Sequence, residues 1–245
     1  MQIKTIETFS NPNICFVRVV DDSGEAGWGM TAPFAANISA QVLHQICAGT
    51  AFIPFEDFTT VADEVIRKQY KFLGSFLARA AAGIDTALWD LFSKKKGVSV
   101  AKMAGGKRDA IDLYASSMKR DLPVQEEADR LRALQDKFGY RSIKLHPGIP
   151  VGQDLDHWPG RTEDMVEAMV KTAKPGTEII VDVNGNYSVE KAIEMAKFLH
   201  EKGVVLFEEP CPYWELDKTK AVREACAKIG IPVAEIGRAS CTERV

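Results

Sequence analysis

The first hundred residues begin with strand patterns and continue with helical ones. Residues 14–20 are rich in β-branched and aromatic side chains, residues 21–24 have the composition of a tight turn, and residues 26–29 predict a return strand. A long helix is predicted over residues 75–96, where apolar side chains share one stripe and three lysines precede Gly97. Residues 1–110 therefore predict an α+β domain.

From about Ile111 the rhythm changes, and short apolar strands alternate with amphipathic helices. The predicted strands cover residues 112–115, 142–146, 178–183, 204–208 and 231–234. Strands that alternate with helices in this way indicate parallel β/α units. Both a doubly wound sheet and a β/α barrel are compatible with this rhythm.

Polar side chains stand at the carboxyl ends of three successive predicted strands. Lys144 and His146 end the second strand, Asp182 and Asn184 end the third, and Glu208 ends the fourth. Residues two apart lie on the same side of a strand. In a β/α barrel the carboxyl ends of the strands meet at one face, where the active site lies. No Gly-x-Gly-x-x-Gly motif follows any strand, which argues against nucleotide binding.

These residue types indicate metal-assisted proton transfer. Carboxylates such as Asp182 and Glu208 are hard oxygen ligands that suit Mg²⁺. A bound Mg²⁺ stabilises the negative charge that develops when the carbon next to a substrate carboxylate loses its proton. His146 is a candidate base near neutral pH, and Lys144 would place positive charge against a carboxylate oxygen. The pattern predicts a Mg²⁺-dependent enzyme that acts on a small-molecule carboxylate.

Composition narrows the partners and the compartment. Hydrophobic residues make up 46% and charged residues 27%, and the net charge of −3 argues against nucleic acid or an acidic membrane as a partner. No apolar run approaches the roughly 18 residues that span a bilayer. The five cysteines are scattered and form no Cys-x-x-Cys pair, as is typical of reduced thiols in a cytoplasmic protein.

The chain resembles the enolase superfamily, and within it the mandelate racemase/muconate lactonizing enzyme-like group. The resemblance extends from the N-terminus to about Ala234. It lies in the motifs of residues 22–29, 83–90, 105–115, 143–146, 181–184 and 207–210.

The resemblance implies a capping domain over residues 1–110, followed by a TIM-type barrel from residue 111 to 234. It implies that Asp182 and Glu208 bind the metal and that Lys144 matches the first lysine of the Lys-x-Lys motif of the family. The hairpin around Trp28 matches a capping-domain loop that closes over the substrate.

Asn184 and Trp28 are therefore candidate substrate-binding residues. The sequence departs from the family pattern at two positions. His146 stands where many members have a second, proton-abstracting lysine, so the identity of the base stays open. The third metal ligand of the family is a glutamate after the fifth strand, where this chain has Gly237. Glu235 has the same strand parity but lies two residues earlier, and it is the remaining candidate.

Three functions stay open at this point. The first is a lyase or racemase, such as a dehydratase of a hydroxy acid or sugar acid. The second is a cycloisomerase or epimerase of the same superfamily, which would use a base on the sixth strand. The third is a non-functional truncated fragment. We expect the full-length form to be a homo-oligomer.

We also expect the barrel to be incomplete. A barrel of eight β/α units takes about 250 residues, and residues 111–234 supply about five units. Residues 235–245 show no periodicity and are similar to a translated sequencing adapter, so they are predicted to be a non-native tail. The fold class predicted is thus an α+β capping domain followed by an incomplete α/β barrel, inactive as given.

Overall fold

The computed structural model describes residues 1–235, which form two compact units. The first unit is Met1–Asp109, and the second begins at Ala110. An antiparallel three-stranded sheet characterises the first unit, and a parallel five-stranded sheet characterises the second.

The sheet of the first unit consists of β1 (Ile3–Asn11), β2 (Ile14–Asp21) and β3 (Ala26–Met30), paired in that order. The hairpin predicted from residues 14–29 is present. Its turn is fixed by Asp21, whose Oδ1 accepts hydrogen bonds from the backbone nitrogens of Ser23 (2.9 Å) and Glu25 (3.1 Å). An aspartate that binds backbone N–H groups two and four residues later favours a tight turn over continued strand.

The helix α4 (Ser75–Lys96) has the bounds that the sequence predicts, and it ends at Gly97 in the left-handed conformation. It lies directly against β3. A Cβ atom at Gly27 would stand 2.1 Å from the carbonyl oxygen of Ala87. The strand therefore needs glycine there, because any side chain would collide with the helix backbone.

Shorter helices complete the first unit. At the start of α4, Leu77 is buried, whereas Phe76 is 37% exposed and does not belong to the buried stripe. The remaining elements are α1 (Ala36–Val42), a π-helical turn (Leu43–Cys47), α2 (Ala48–Ala51), a 3₁₀ turn (Phe58–Thr60), α3 (Val61–Lys68), a 3₁₀ turn (Tyr70–Phe72) and α5 (Val100–Met103).

The second unit alternates strands and helices throughout. All of its strands pair in parallel, in the order of the sequence. A doubly wound sheet reverses its strand order at a switch point, whereas a barrel does not, so the order observed is that of a barrel. The elements are β4 (Tyr114–Ser116), α6 (Val124–Phe138), β5 (Ser142–Leu145), α7 (Arg161–Thr172), β6 (Glu178–Asp182), α8 (Val189–Glu201), β7 (Leu206–Glu208), α9 (Leu216–Ile229) and β8 (Val233–Ala234).

The chain leaves β6 and β7 by the same backbone device. Asp182 and Glu208 are the last residues of their strands and are register partners. Asn184 and Glu209 then adopt positive φ angles of 49° each. Asn184 is thus not a strand residue. It does lie beside Asp182, as predicted, but strand alternation is not the cause. A left-handed turn controls its direction instead.

The cysteines that the structure describes are free thiols, as predicted. Cys15, Cys47, Cys211 and Cys226 are all buried, and burial raises the pKa of Cys47 to about 11. Such thiols are poor nucleophiles. Cys241 lies outside the described residues. No helix within residues 1–235 combines the length and the apolar character that a membrane span requires.

Candidate active site

Asp182 lies at the centre of a cluster of polar side chains at the carboxyl ends of β5 and β6. Its Oδ2 atom is 2.9 Å from Lys144 Nζ and 3.2 Å from His146 Nε2. Its Oδ1 atom accepts hydrogen bonds from the backbone nitrogen (2.9 Å) and from Nδ2 (2.7 Å) of Asn184. The structure therefore brings together the polar residues that the sequence placed at the ends of these two strands.

Lys144 is held between two carboxylates. Its Nζ atom is 2.9 Å from both Asp182 Oδ2 and Glu208 Oε1, and all three side chains are buried. Burial alone would lower the pKa of Lys144, but its hydrogen bonds to Glu208 and Asp182 outweigh burial and raise that pKa above its usual value. The lysine is consequently a fixed positive charge in this arrangement.

Asp182 remains ionised despite its burial. Burial would raise the pKa of its carboxyl group, but hydrogen bonds from His146, Lys144 and the Asn184 backbone outweigh that effect and lower the pKa. Asp182 and Glu208 are thus two buried carboxylates that both contact the ammonium group of Lys144.

His146 has an acceptor at each ring nitrogen. Nδ1 contacts the carbonyl oxygen of Ser117, and Nε2 faces Asp182 Oδ2. Because a carbonyl and a carboxylate both only accept, the ring satisfies both neighbours when each nitrogen carries a hydrogen. The Ser117 carbonyl keeps a hydrogen on Nδ1, which leaves Nε2 as the nitrogen that can give up or receive a proton.

Asn184 connects this cluster to Glu209, which follows Glu208 at the end of the fourth predicted strand, and to Arg120, which the sequence pattern did not indicate. Its Nδ2 atom donates to Glu209 Oε2 (3.1 Å) as well as to Asp182, and its Oδ1 atom accepts from Arg120 Nη2. Arg120 lies in the turn after β4. A search for polar residues directly at strand ends passes over this turn, although barrel active sites use whole loops.

Trp28 and Glu235 are the other two predicted site residues, and both assignments stay predictions. Trp28 belongs to the first unit, is 46% exposed and packs against Phe9 at a ring-centroid distance of 5.6 Å. Glu235 accepts a hydrogen bond from Thr219 Oγ1 of α9 at 3.4 Å. Gly237 lies outside the described residues.

The donor set fits a magnesium ion through two protein ligands. Within residues 1–235, no three Asp, Glu, His or Cys side chains are grouped closely enough to hold a metal, and Glu235 as a third ligand stays a prediction. Asp182 and Glu208 nevertheless lie on either side of one cation, the Nζ group of Lys144. Mg²⁺ commonly binds through one or two carboxylates, while water and substrate oxygens complete its shell.

Family models match both units. Residues 2–105 match the N-terminal domain of mandelate racemase / muconate lactonizing enzyme, and residues 96–239 match the enolase C-terminal domain-like family.

Curated relatives catalyse several reactions. An o-succinylbenzoate synthase from Bacillus subtilis is 29% identical over 84% of this chain and 52% of its own length. An arabinonate dehydratase from Saccharolobus solfataricus is 29% identical over 68% of this chain and 44% of its own. A D-galactarolactone cycloisomerase from Agrobacterium fabrum is 31% identical over 63% and 39%. The chain thus spans about half the length of these relatives, or less.

Solved structures agree with the family models. A candidate racemase from Roseobacter denitrificans superposes with a TM-score of 0.93 at 41% identity, over 98% of this chain and 65% of that one. A mandelate racemase/muconate lactonizing protein from Paracoccus denitrificans, complexed with magnesium, gives 0.82 at 25% identity, over 96% and 64%. With two family models and a barrel-type sheet order, the chain belongs to the enolase superfamily, in its mandelate racemase-like group, and has the capping-domain and TIM-barrel-like fold of that family.

Proposed function

We propose that this protein catalyses Mg²⁺-dependent transfer of the proton next to a substrate carboxylate, as a dehydratase or racemase of a hydroxy acid or sugar acid. The observation that carries the proposal is the position of Lys144 between Asp182 and Glu208, with His146 beside them. Buried charges that converge from separate strands are a feature of active sites.

Each residue of the cluster has a proposed role. Asp182 and Glu208 hold the metal, which supplies positive charge to the substrate carboxylate when bound. Lys144 adds a second positive charge at a carboxylate oxygen, because its hydrogen bonds keep it protonated. Asn184 orients Asp182 by donating two hydrogen bonds to its Oδ1 atom.

His146 handles the proton in this proposal. The Ser117 carbonyl fixes one hydrogen on Nδ1, so Nε2 is the atom that accepts the substrate proton or returns it. Nε2 also lies 3.2 Å from Asp182 Oδ2. It can take the substrate proton when it carries no hydrogen, and it can return a proton when it does.

A second candidate is a cycloisomerase or epimerase. The D-galactarolactone cycloisomerase from Agrobacterium fabrum is 31% identical, and an L-Ala-D/L-Glu epimerase from Clostridium acetobutylicum matches 93% of this chain at 22% identity.

Two predictions about the extent of the chain stay predictions. The first is that residues 111–234 supply five of eight barrel units, and the second is that residues 235–245 are a non-native tail. Residues 236–245 lie outside the described residues.

Exchange of the substrate α-hydrogen with deuterated solvent tests the proposal, in a chain that supplies the complete barrel. We expect Mg²⁺-dependent exchange that His146→Gln reduces by at least about a hundredfold, whereas His200→Gln, at an exposed position on α8, leaves it unchanged. NMR of a panel of hydroxy acids and sugar acids measures the rate. Exchange that survives in His146→Gln would remove this residue from the mechanism.

A further inference from the structure

Arg120 is a half-buried cation that forms no ion pair within the described part of the chain. Its Nη2 atom donates to Asn184 Oδ1, and its Nε atom is buried without a hydrogen-bond partner. Among residues 1–235, no carboxylate forms an ion pair with its guanidinium group. Buried charges without a counter-ion destabilise a fold unless a ligand or partner neutralises them.

The amide of Asn184 explains why Arg120 is oriented but not neutralised. The Nδ2 group of that amide donates to two carboxylates, Asp182 and Glu209, so its carbonyl oxygen must face the guanidinium. Arg120 thus receives a neutral acceptor. Burial lowers the pKa of Arg120 and the charge of Asp182 opposes that effect, but an arginine stays protonated in proteins.

Two other arginines of the second unit show what distinguishes Arg120. Arg161 also has nitrogens without partners, but it is fully buried, stacked on Trp158 at 4.8 Å and bonded to the Pro147 carbonyl oxygen at 2.7 Å. A dissolved ion cannot reach it, and it fixes the loop before α7. Arg132 lies at the surface and pairs with Asp136 at 3.2 Å. Arg120 combines a buried Nε atom that has no hydrogen-bond partner with a side chain that is only half-buried.

We propose that Arg120 binds a second anionic group of the substrate, and that the substrate is therefore a dicarboxylic acid. This inference rests on the proposed function, in which the first carboxylate is bound near Lys144, Asp182 and Glu208. Asn184 lies between Arg120 and Asp182, so the guanidinium is a separate cationic position at the same barrel face. Its planar fork matches a carboxylate with two parallel hydrogen bonds.

Calorimetry with acid pairs of equal chain length tests the inference on the Mg²⁺-loaded, full-length protein. The probes are succinate against butyrate, glutarate against valerate, and adipate against hexanoate. We expect at least one diacid to bind about tenfold or more tighter than its monoacid, as a charge-assisted pair allows. Arg120→Gln should abolish this preference while the Kd of the monoacid changes less than about twofold. Arg120→Lys should keep part of it, and Arg132→Gln all of it.

The outcomes separate this inference from the proposed function. A diacid preference that is absent from the unaltered protein, or equal weakening of diacid and monoacid by Arg120→Gln, overturns the inference. Circular dichroism checks whether Arg120→Gln folds. If it does not fold, the Arg120→Lys variant decides: an undiminished preference for the diacid overturns the inference, and a reduced preference supports it. A diacid preference that depends on Arg120, without any exchange of the α-hydrogen, supports the inference and refutes the proposed function.

Discussion

In each of the two units a lysine and an aspartate form a buried pair, and the two pairs are built differently. In the first unit, Lys95 of α4 reaches Asp21 at the hairpin turn, and its side chain keeps 22% of its exposure. It also contacts Glu25 at 3.1 Å, at the surface. In the second unit, Lys144 and Asp182 keep only 8% and 3%.

The difference lies in what else surrounds each pair. Backbone nitrogens of the turn occupy Asp21 Oδ1, so the first pair closes a local structure and ties it to one helix. Lys144 instead meets two carboxylates from the next two strands and lies near a histidine that directly follows its own strand. Packing alone does not require that concentration of charge, since apolar residues of similar volume would stabilise a core as well or better. Surplus buried charge therefore separates a candidate site from a structural ion pair.

Removal of the second pair should have the largest effect, and it should act on turnover. We expect Asp182→Asn in the full-length protein to slow α-hydrogen exchange by about a thousandfold or more. The unfolding midpoint should change little, because Lys144 keeps its hydrogen bond to Glu208. Deuterium exchange by NMR and urea unfolding measure the two quantities. A rate within tenfold of the unaltered protein would mean that the cluster is structural.

Removal of the first pair should act on stability. We expect Asp21→Asn to reduce the free energy of unfolding by about 2 kcal/mol, below the usual loss for a broken buried pair because Lys95 retains water and Glu25. Urea unfolding measures the change. Asp22→Asn, at the exposed neighbouring position, is the matched control. Equal losses in both variants would contradict the view that the buried Asp21–Lys95 pair stabilises the fold more than an exposed charge does.

The Asp21–Lys95 pair should also make the free energy of unfolding depend on pH in the acid range. Burial raises the pKa of Asp21, but hydrogen bonds from Lys95 and Ser23 outweigh it, so the pKa is lowered. A lowered folded-state pKa stabilises the fold at pH values above about 4, and that contribution is lost as the pH falls through the lowered pKa.

Lys95 has a raised pKa, chiefly through its hydrogen bond to Asp21. Its contribution is present below the pKa of an unfolded lysine, about 10.4, and is lost as the pH rises through the raised value. Urea midpoints across this range should form a plateau that falls at both ends. Asp21→Asn should flatten the acid limb, and an unchanged limb would show that other carboxyl groups dominate it.

The smallest effect is expected for an exposed pair. Glu64 and Arg67 lie three residues apart on α3, with side-chain exposures of 43% and 68%. Water and salt screen such a pair, so Glu64→Gln should leave the urea midpoint unresolved from that of the unaltered protein. A loss as large as that of Asp21→Asn would show that burial does not control the difference.

Long periodic segments could be predicted from sequence, whereas strand ends could not. The bounds of α4 were predicted correctly because this helix of 22 residues carries a long apolar stripe and ends in lysines and a glycine. The fourth predicted strand, residues 204–208, is shorter in the structure, where β7 begins at Leu206. Val204 is buried ahead of the strand, whereas Val205 is 42% exposed and its backbone nitrogen donates to the carbonyl oxygen of Ile179 in β6 at 2.9 Å. Periodicity alone does not fix where along such an apolar run the strand begins.

The candidate site divides in the same way. The convergence of Lys144, Asp182 and Glu208 could be predicted because carboxyl ends of parallel strands meet. The role of Arg120 could not be, since a long side chain from an irregular turn has no periodicity that fixes its direction. The contact of Asn184 with Asp182 depended on a positive φ angle, which the sequence pattern did not contain.

The left-handed residues after β6 and β7 imply opposing selection pressures. Asn184 and Glu209 hold a conformation that glycine adopts without strain and other residues adopt at a cost of about 1 kcal/mol or more. A variant library selected for heat resistance alone should therefore accumulate glycine at both positions. Selection for turnover should retain the asparagine, because glycine lacks the amide that donates to Asp182. At position 184, survival at high temperature and catalytic competence would therefore favour different residues.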